Sequence, residues 1–123
     1  MITLTQDELV AILITALNEL RKEADGDLYA TKALALLHVL QTPGVAQMDL
    51  HDVIGVSAAA NTRNVQDWTI YDRNRERGRD FIAQNVDPAF RKRNLLTPTP
   101  KGQAFAKRLT DAVNRTLAGQ RPR

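Results

Sequence analysis

The stretch Met48-Asp49-Leu50-His51-Asp52-Val53-Ile54-Gly55-Val56-Ser57-Ala58-Ala59-Ala60-Asn61-Thr62-Arg63-Asn64-Val65-Gln66-Asp67-Trp68 decides the fold. From Ala46 to Ile54, apolar side chains recur at Met48, Leu50, Val53 and Ile54, the spacing of a helix. Gly55 follows and suits the left-handed cap that ends a helix. Ser57, the only serine of the chain, stands where the next helix needs an N-cap. From Ala58 to about Trp68, residues Ala58, Asn61, Val65 and Trp68 share one face. A helix, a tight glycine turn and a second capped helix predict a helix-turn-helix.

Upstream, Thr5-Gln6-Asp7-Glu8 reads as a capping box. Leu9, Ile12, Leu13, Ala16, Leu17 and Leu20 then predict a helix from about Gln6 to Glu23. Asp25-Gly26-Asp27 breaks it and offers Asp27 as the next cap. A second helix is expected over Leu28 to Gln41, with apolar residues wrapping widely enough for burial on most sides. Thr42-Pro43-Gly44 ends it.

Downstream, residues 69–79 are polar and arginine-rich, and either extend the preceding helix or form a loop. Asp80 to Asn85 and Asn94 to Thr97 read as short strands. Between them Val86-Asp87-Pro88-Ala89-Phe90-Arg91-Lys92-Arg93 reads as a turn ending in three consecutive cations, a wing. Thr99 caps a last helix with Pro100 at its first position, where the missing N–H does no harm. Phe105, Ala106, Leu109, Ala112, Val113 and Leu117 form its apolar stripe, and 119–123 is expected to be a frayed basic tail. The fold class is thus mainly α with a small β-hairpin wing (α+β), with about five helices in one domain over residues 1–123.

Charge is distributed unevenly. Residues 1–62 hold three basic and eight acidic side chains, a net of −5, whereas 63–123 hold fourteen and six, a net of +8. A polyanion partner on the C-terminal half follows as the expectation. The chain has no cysteine, which excludes disulfides and thiolate metal sites. No apolar run reaches the roughly 20 residues of a membrane span, and the N-terminus lacks a signal-peptide pattern, so a cytoplasmic protein is expected. His38 and His51 lie in separate helices, and Asp49 and Asp52 sit on a helix surface with nothing beside them to raise a pKa. No catalytic constellation and no phosphate-binding glycine loop is found. An enzyme is not expected, nor any metal or cofactor.

Two segments resemble the MarR family of bacterial transcription regulators. Met48 to Val65 is similar to that family's helix-turn-helix. Asp87-Pro88-Ala89-Phe90-Arg91-Lys92-Arg93-Asn94-Leu95-Leu96-Thr97-Pro98-Thr99-Pro100-Lys101-Gly102 is similar to its wing and exit, and is the more specific of the two. The resemblance spans about residues 34–102. It implies a homodimer joined through its N- and C-terminal helices (1–24 and 100–118), with 28–99 as the winged unit. It also implies a near-palindromic DNA site, frequent repressor activity, and in many members a cleft for a small-molecule effector. Three positions depart from the family pattern. Phe90 stands where a second acid is usual before the wing arginines, which removes a potential ion pair. The stretch from Trp68 to Asp80 is longer. One C-terminal helix follows where two are common.

For double-stranded DNA, the recognition helix 58–68 is expected in the major groove. Arg63 can make two bonds to guanine, and Gln66, one turn on, can read adenine. Ala59 and Ala60 allow close approach and can touch a thymine methyl. Ser57 and Thr62 suit phosphate oxygens. Arg91, Lys92 and Arg93 suit the backbone or the minor groove. Each has a plainer alternative: Ser57 caps any helix, and the charged residues can be solvated surface. Asn61 and Trp68 are read as core. Two other functions stay open at this point. One is an architectural or replication-associated DNA-binding protein of a phage or mobile element. The other is a protein-interaction module with Trp68 and Tyr71 as anchors.

Overall fold

Thr5 opens the first helix as its sequence demands. Its hydroxyl accepts from the Glu8 N–H at 3.1 Å, and the Glu8 carboxylate accepts from the Thr5 N–H at 2.9 Å, completing the capping box of α1 (Gln6–Glu23). The computed structural model describes residues 3–24, 28–71 and 76–121. Contacts cluster into two compact units, Met1–Leu28 with Ala106–Arg123, and Tyr29–Phe105.

In the first unit α1 pairs with the far part of α5 (Pro100–Gln120). Glu23 meets Arg108 at 3.5 Å, the Thr15 and Thr116 hydroxyls bond at 2.7 Å, and Glu8 meets Arg121 at 2.7 Å. That order makes the pairing antiparallel. The frayed tail expected at 119–123 is corrected here: α5 runs three residues past Leu117, and Arg121 is bonded to Glu8. Residues 122–123 lie outside the described residues. Leu9, Val10, Leu13, Ile14 and Leu17 form an exposed apolar stripe on α1.

The second unit contains α2 (Ala30–Gln41), β1 (Val45–Ala46), α3 (Gln47–Ile54), α4 (Ala58–Gln66), β2 (Ile82–Asp87) and β3 (Phe90–Pro98). The strands form one antiparallel sheet in the order β1-β3-β2. Helix α2 starts two residues later than expected because Tyr29 is extended and makes no side-chain cap; the expected cap, Asp27, lies outside the described residues. It buries Ala33, Ala35, Leu36 and Val39 but leaves Leu34 and Leu37 exposed, so its wide apolar wrap is covered on one side only. Strand β1 was not anticipated: Gly44 N–H donates to Leu96 C=O at 2.8 Å, and Val45 and Ala46 pair with Leu96 and Leu95. Helix α3 accordingly begins at Gln47, and of its apolar residues only Leu50 is buried, while Met48 and Val53 are exposed.

Residues 69–79 neither extend α4 nor run free where described. Tyr71 and Arg77 form an antiparallel bridge, Gly78 N–H donates to Ile70 C=O at 2.9 Å, and Asp80 N–H donates to Thr69 C=O at 3.1 Å. Arg73 and Arg75 lie outside the described residues. No helix among the described residues is long and apolar enough to cross a membrane.

The Thr-Pro-Lys-Gly stretch fastens the sheet to α5. Thr99 Oγ1 accepts from Gly102 N–H at 3.0 Å and donates to the Asp80 carbonyl, while Thr99 N–H donates to Phe81 C=O at 3.0 Å. A Cβ at position 102 would collide with the Phe81 carbonyl oxygen, so only glycine fits. Gly102→Ala is expected to cost about 1–3 kcal/mol through this overpacking, read as a lower denaturation midpoint at unchanged slope.

Arg121 holds the Glu8 carboxyl below its ordinary value of 4.5, and the Thr5 N–H adds to the effect. A carboxylate whose folded pKa is depressed stabilises above its unfolded pKa and ceases to as pH falls through the folded one. The melting-temperature gap between wild type and Glu8→Gln should therefore be full at neutral pH and close as pH drops below about 4.5. A gap independent of pH would contradict this.

Candidate nucleic-acid interface

Helix α3 stops at Gly55, whose φ of 82° is left-handed, with its N–H donating to His51 C=O at 2.9 Å. The chain reverses through Val56, and Ser57 opens α4 by accepting from Ala60 N–H at 3.1 Å. At about 100° per residue, α4 then divides into two faces. Asn61, Asn64 and Val65 are buried. Ala59, Thr62, Arg63 and Gln66 turn the other way, with Ala59 and Arg63 exposed and Thr62 and Gln66 half-buried. Ala60 lies to one side, half-buried, and Ser57 is exposed at the helix start.

The inward face is held by polar bonds. Asn61 Nδ2 donates to the Gln47 carbonyl at 2.9 Å, tying α4 to the start of α3. Asn64 Nδ2 donates to Thr31 Oγ1 at 3.2 Å, tying it to α2. Trp68, just past the helix, is 0% exposed, and its indole N–H donates to Lys32 C=O at 2.9 Å. Asn61 and Trp68 are thus core residues. Tyr71 is exposed, so of the two anchors suggested for an interaction module only Tyr71 is on the surface.

The wing differs from its expected layout. β2 and β3 reach to Asp87 and back from Phe90, so the turn is Pro88-Ala89 and Arg91, Lys92 and Arg93 lie on a strand. Strand alternation sends Arg91 and Arg93 to one side and Lys92 to the other. Arg91 and Lys92 are exposed; Arg93 Nε lies 3.4 Å from Asp87 Oδ2. Asp87 thus gives the wing arginine the ion pair that Phe90 cannot. Lys92 and Asn94 line a cleft of about 200 Å³ with Gln47, Ala58 and Thr62, which brings the wing beside the start of the recognition helix.

A bridge between these parts was not legible in the sequence. Gln84 Nε2 on β2 donates to Gln47 Oε1 at 2.8 Å, and Gln47 Nε2 donates to Thr62 Oγ1 at 3.3 Å. Thr62 in turn donates its hydroxyl proton to Ala58 C=O at 3.0 Å, which leaves no proton for a phosphate oxygen in this arrangement. The bridging residues lie 15 and 37 positions apart, beyond any local pattern. No group of three or more potential metal ligands occurs among the described residues. His51 Nδ1 lies 3.3 Å from Asp52 Oδ1.

Helix, turn, capped helix and β-hairpin together define a winged helix-turn-helix. No protein-family model matches the sequence, and no curated protein matches it. Solved structures do. The transcriptional regulator Tm0710 from Thermotoga maritima superposes with a TM-score of 0.73 at 15% identity, covering 93% of this chain and 72% of that one. MarR gives 0.62 at 21% identity, covering 88% and 74%. The PcaV transcriptional regulator from Streptomyces coelicolor in complex with its natural ligand gives 0.59 at 17%, covering 94% and 80%. The chain has the winged-helix fold of these regulators.

Asn61→Ala should lower stability by about 0.5–1.5 kcal/mol, because the part-buried Gln47 carbonyl loses the amide donor. Thermal melts of the two proteins check this, and an unchanged midpoint would contradict it.

Proposed function

We propose that the protein is a double-stranded-DNA-binding transcription regulator, in first preference a repressor, that acts as a homodimer and carries out no reaction of its own. The observation that carries this reading is the outward face of α4. There Ala59 and Arg63 are exposed and Gln66 is half-exposed, while the Asn61 and Asn64 amides hold the helix from the opposite face. A helix so held can enter a major groove without surrendering its own packing.

Arg63 is the primary base reader on this reading, with Gln66 beside it and Ala59 and Ala60 permitting approach. Ser57 keeps a hydroxyl at the helix start for a phosphate. Arg91 and Lys92 take the backbone or minor groove, and Arg93 contributes charge from its place beside Asp87. Thr62 serves the bridge to Gln47 first. The exposed stripe Leu9, Val10, Leu13, Ile14 and Leu17 supports pairing with a second copy through residues 1–24 and 100–118. PcaV, a regulator of this fold, holds a natural ligand; a small-molecule effector for this chain belongs to the same reading.

Selection of bound duplexes from a random pool tests the function, since a regulator should enrich one near-palindromic site. On that duplex Arg63→Ala should weaken binding about 10–100-fold and relax the preference at one base position. Arg91→Ala should weaken specific and random duplexes alike and lower the slope of log affinity against log salt by about 1 per site. No enrichment, or equal loss on all sequences with Arg63→Ala, would contradict the assignment of base reading to α4.

A further inference from the structure

The end of the β2–β3 hairpin carries an apolar surface that the contacts assigned above leave unused. Val86, Pro88, Ala89 and Phe90 are all exposed, Val86 by 57% and Phe90 by 52%. The one polar side chain among them, Asp87, is turned back on the hairpin. Its Oδ1 accepts from Ala89 N–H at 2.9 Å, and its Oδ2 faces Arg93 Nε. The tip therefore shows hydrocarbon to solvent, and three cations follow it directly in sequence.

We propose that Phe90 is an apolar wedge that enters the minor groove of duplex DNA, partly unstacks one base step and kinks the duplex at the wing. The proposal rests on the DNA-binding reading and deepens it. Side chains of this kind can intrude between base pairs from the minor groove and bend the duplex. The surroundings of Phe90 match that occupant. Lys92 leaves β3 on the same side as Phe90, and Arg91 and Arg93 leave on the other, so both faces of the strand carry cations next to the ring's position. A DNA groove has the complementary layout: phosphates line its walls, and an apolar stack of bases lies between them. A protein pocket for the same ring gives no reason for cations on both faces of the strand that carries it.

A wedge must also be stiff, because unstacking opposes its entry. Pro88 restricts the turn, and the Asp87 carboxylate locks it through Ala89. The Gln84–Gln47–Thr62 bridge fixes the hairpin to α3 and α4, so the recognition helix and the tip approach the duplex as one piece. Unstacking is easiest at pyrimidine–purine steps, so TA or CA/TG is expected where the wing lands.

The test uses the full chain and the duplex recovered from the random pool. That duplex carries 2-aminopurine at the step beneath the wing and a donor–acceptor dye pair at its ends. Wild type should raise the 2-aminopurine fluorescence and shorten the end-to-end distance. Phe90→Ala should still bind within about tenfold of wild type with an unchanged salt slope, but lose both signals. Phe90→Leu, which keeps an apolar side chain, should restore part of them. A wild-type complex with stacked, straight DNA, or a Phe90→Ala complex bent as fully as wild type, overturns the wedge while leaving DNA binding in place. Failure of wild type to bind any duplex in dilute salt overturns the DNA-binding reading and the wedge with it.

Discussion

The indole of Trp68 is the point on which the winged unit turns. Its ring stacks on Phe81 at 5.8 Å and 9°, and Phe81 stacks on Phe105 at 5.1 Å and 15°. Its N–H is satisfied by Lys32 of α2, and its own carbonyl accepts from both Phe81 N–H at 2.7 Å and Ile82 N–H at 3.0 Å. One residue thus joins α2, the end of α4, the start of β2 and the first turns of α5. Aromatic pairs of this kind contribute about 0.5–1.5 kcal/mol beyond their buried area, and a buried indole N–H without an acceptor would be costly. Beside it Lys32 Nζ lies 5.5 Å from the ring centroid and 3.4 Å from Asp67 Oδ2, with both side chains buried or nearly so. Such a pair adds little net stability. It joins α2 to Asp67, the C-cap residue of α4.

With its end fixed at Trp68, α4 is fixed along its length by amides. Asn61 and Asn64 bond to α3 and α2 from the buried face, where aliphatic residues would pack without setting rotation or register. Directional bonds specify orientation more narrowly than hydrophobic contact does. The exposed Ala59 and Arg63 therefore inherit a defined heading from the backbone that carries them. On the proposed reading this is what a base-reading helix needs: the freedom of Arg63 lies in its side chain, while its backbone is held from behind.

The helices were legible in the sequence because their signals are local. The Thr5–Glu8 box, Gly55, Ser57 and Thr99 each state a cap within four residues, and each cap forms. The buried roles of Asn61 and Trp68 followed from helical spacing. The features without a local signal depend on partners distant in sequence. Strand β1 has two residues and exists because Leu95 and Leu96 pair with them. The wing strands run longer than the polarity of Arg91, Lys92 and Arg93 predicts, because the ladder to β2 holds these residues extended. The exposure of Met48 and Val53 could not be inferred, since an apolar spacing on α3 does not tell how much of it a neighbour covers. For the candidate site, α4 alone exposed its faces to inspection; the Gln47 and Gln84 bridge left no periodic trace.

That last difference changes the physics of the wing. Cations on a flexible turn can each seek a phosphate independently, at the entropic cost of ordering the turn. Cations on a paired strand are already ordered and alternate in direction, so they cannot all face one phosphate row. Arg93 has a partner in Asp87, which moderates its charge and holds the turn at the same time. Arg91 and Lys92 remain exposed on opposite sides of the hairpin. A rigid blade charged on both flanks and apolar at its tip is suited to straddling a narrow channel with anionic walls. A flat apposition to one strand of the backbone would use only half of it. On the proposed reading, the ladder, more than the cation count, therefore sets how this wing approaches a duplex.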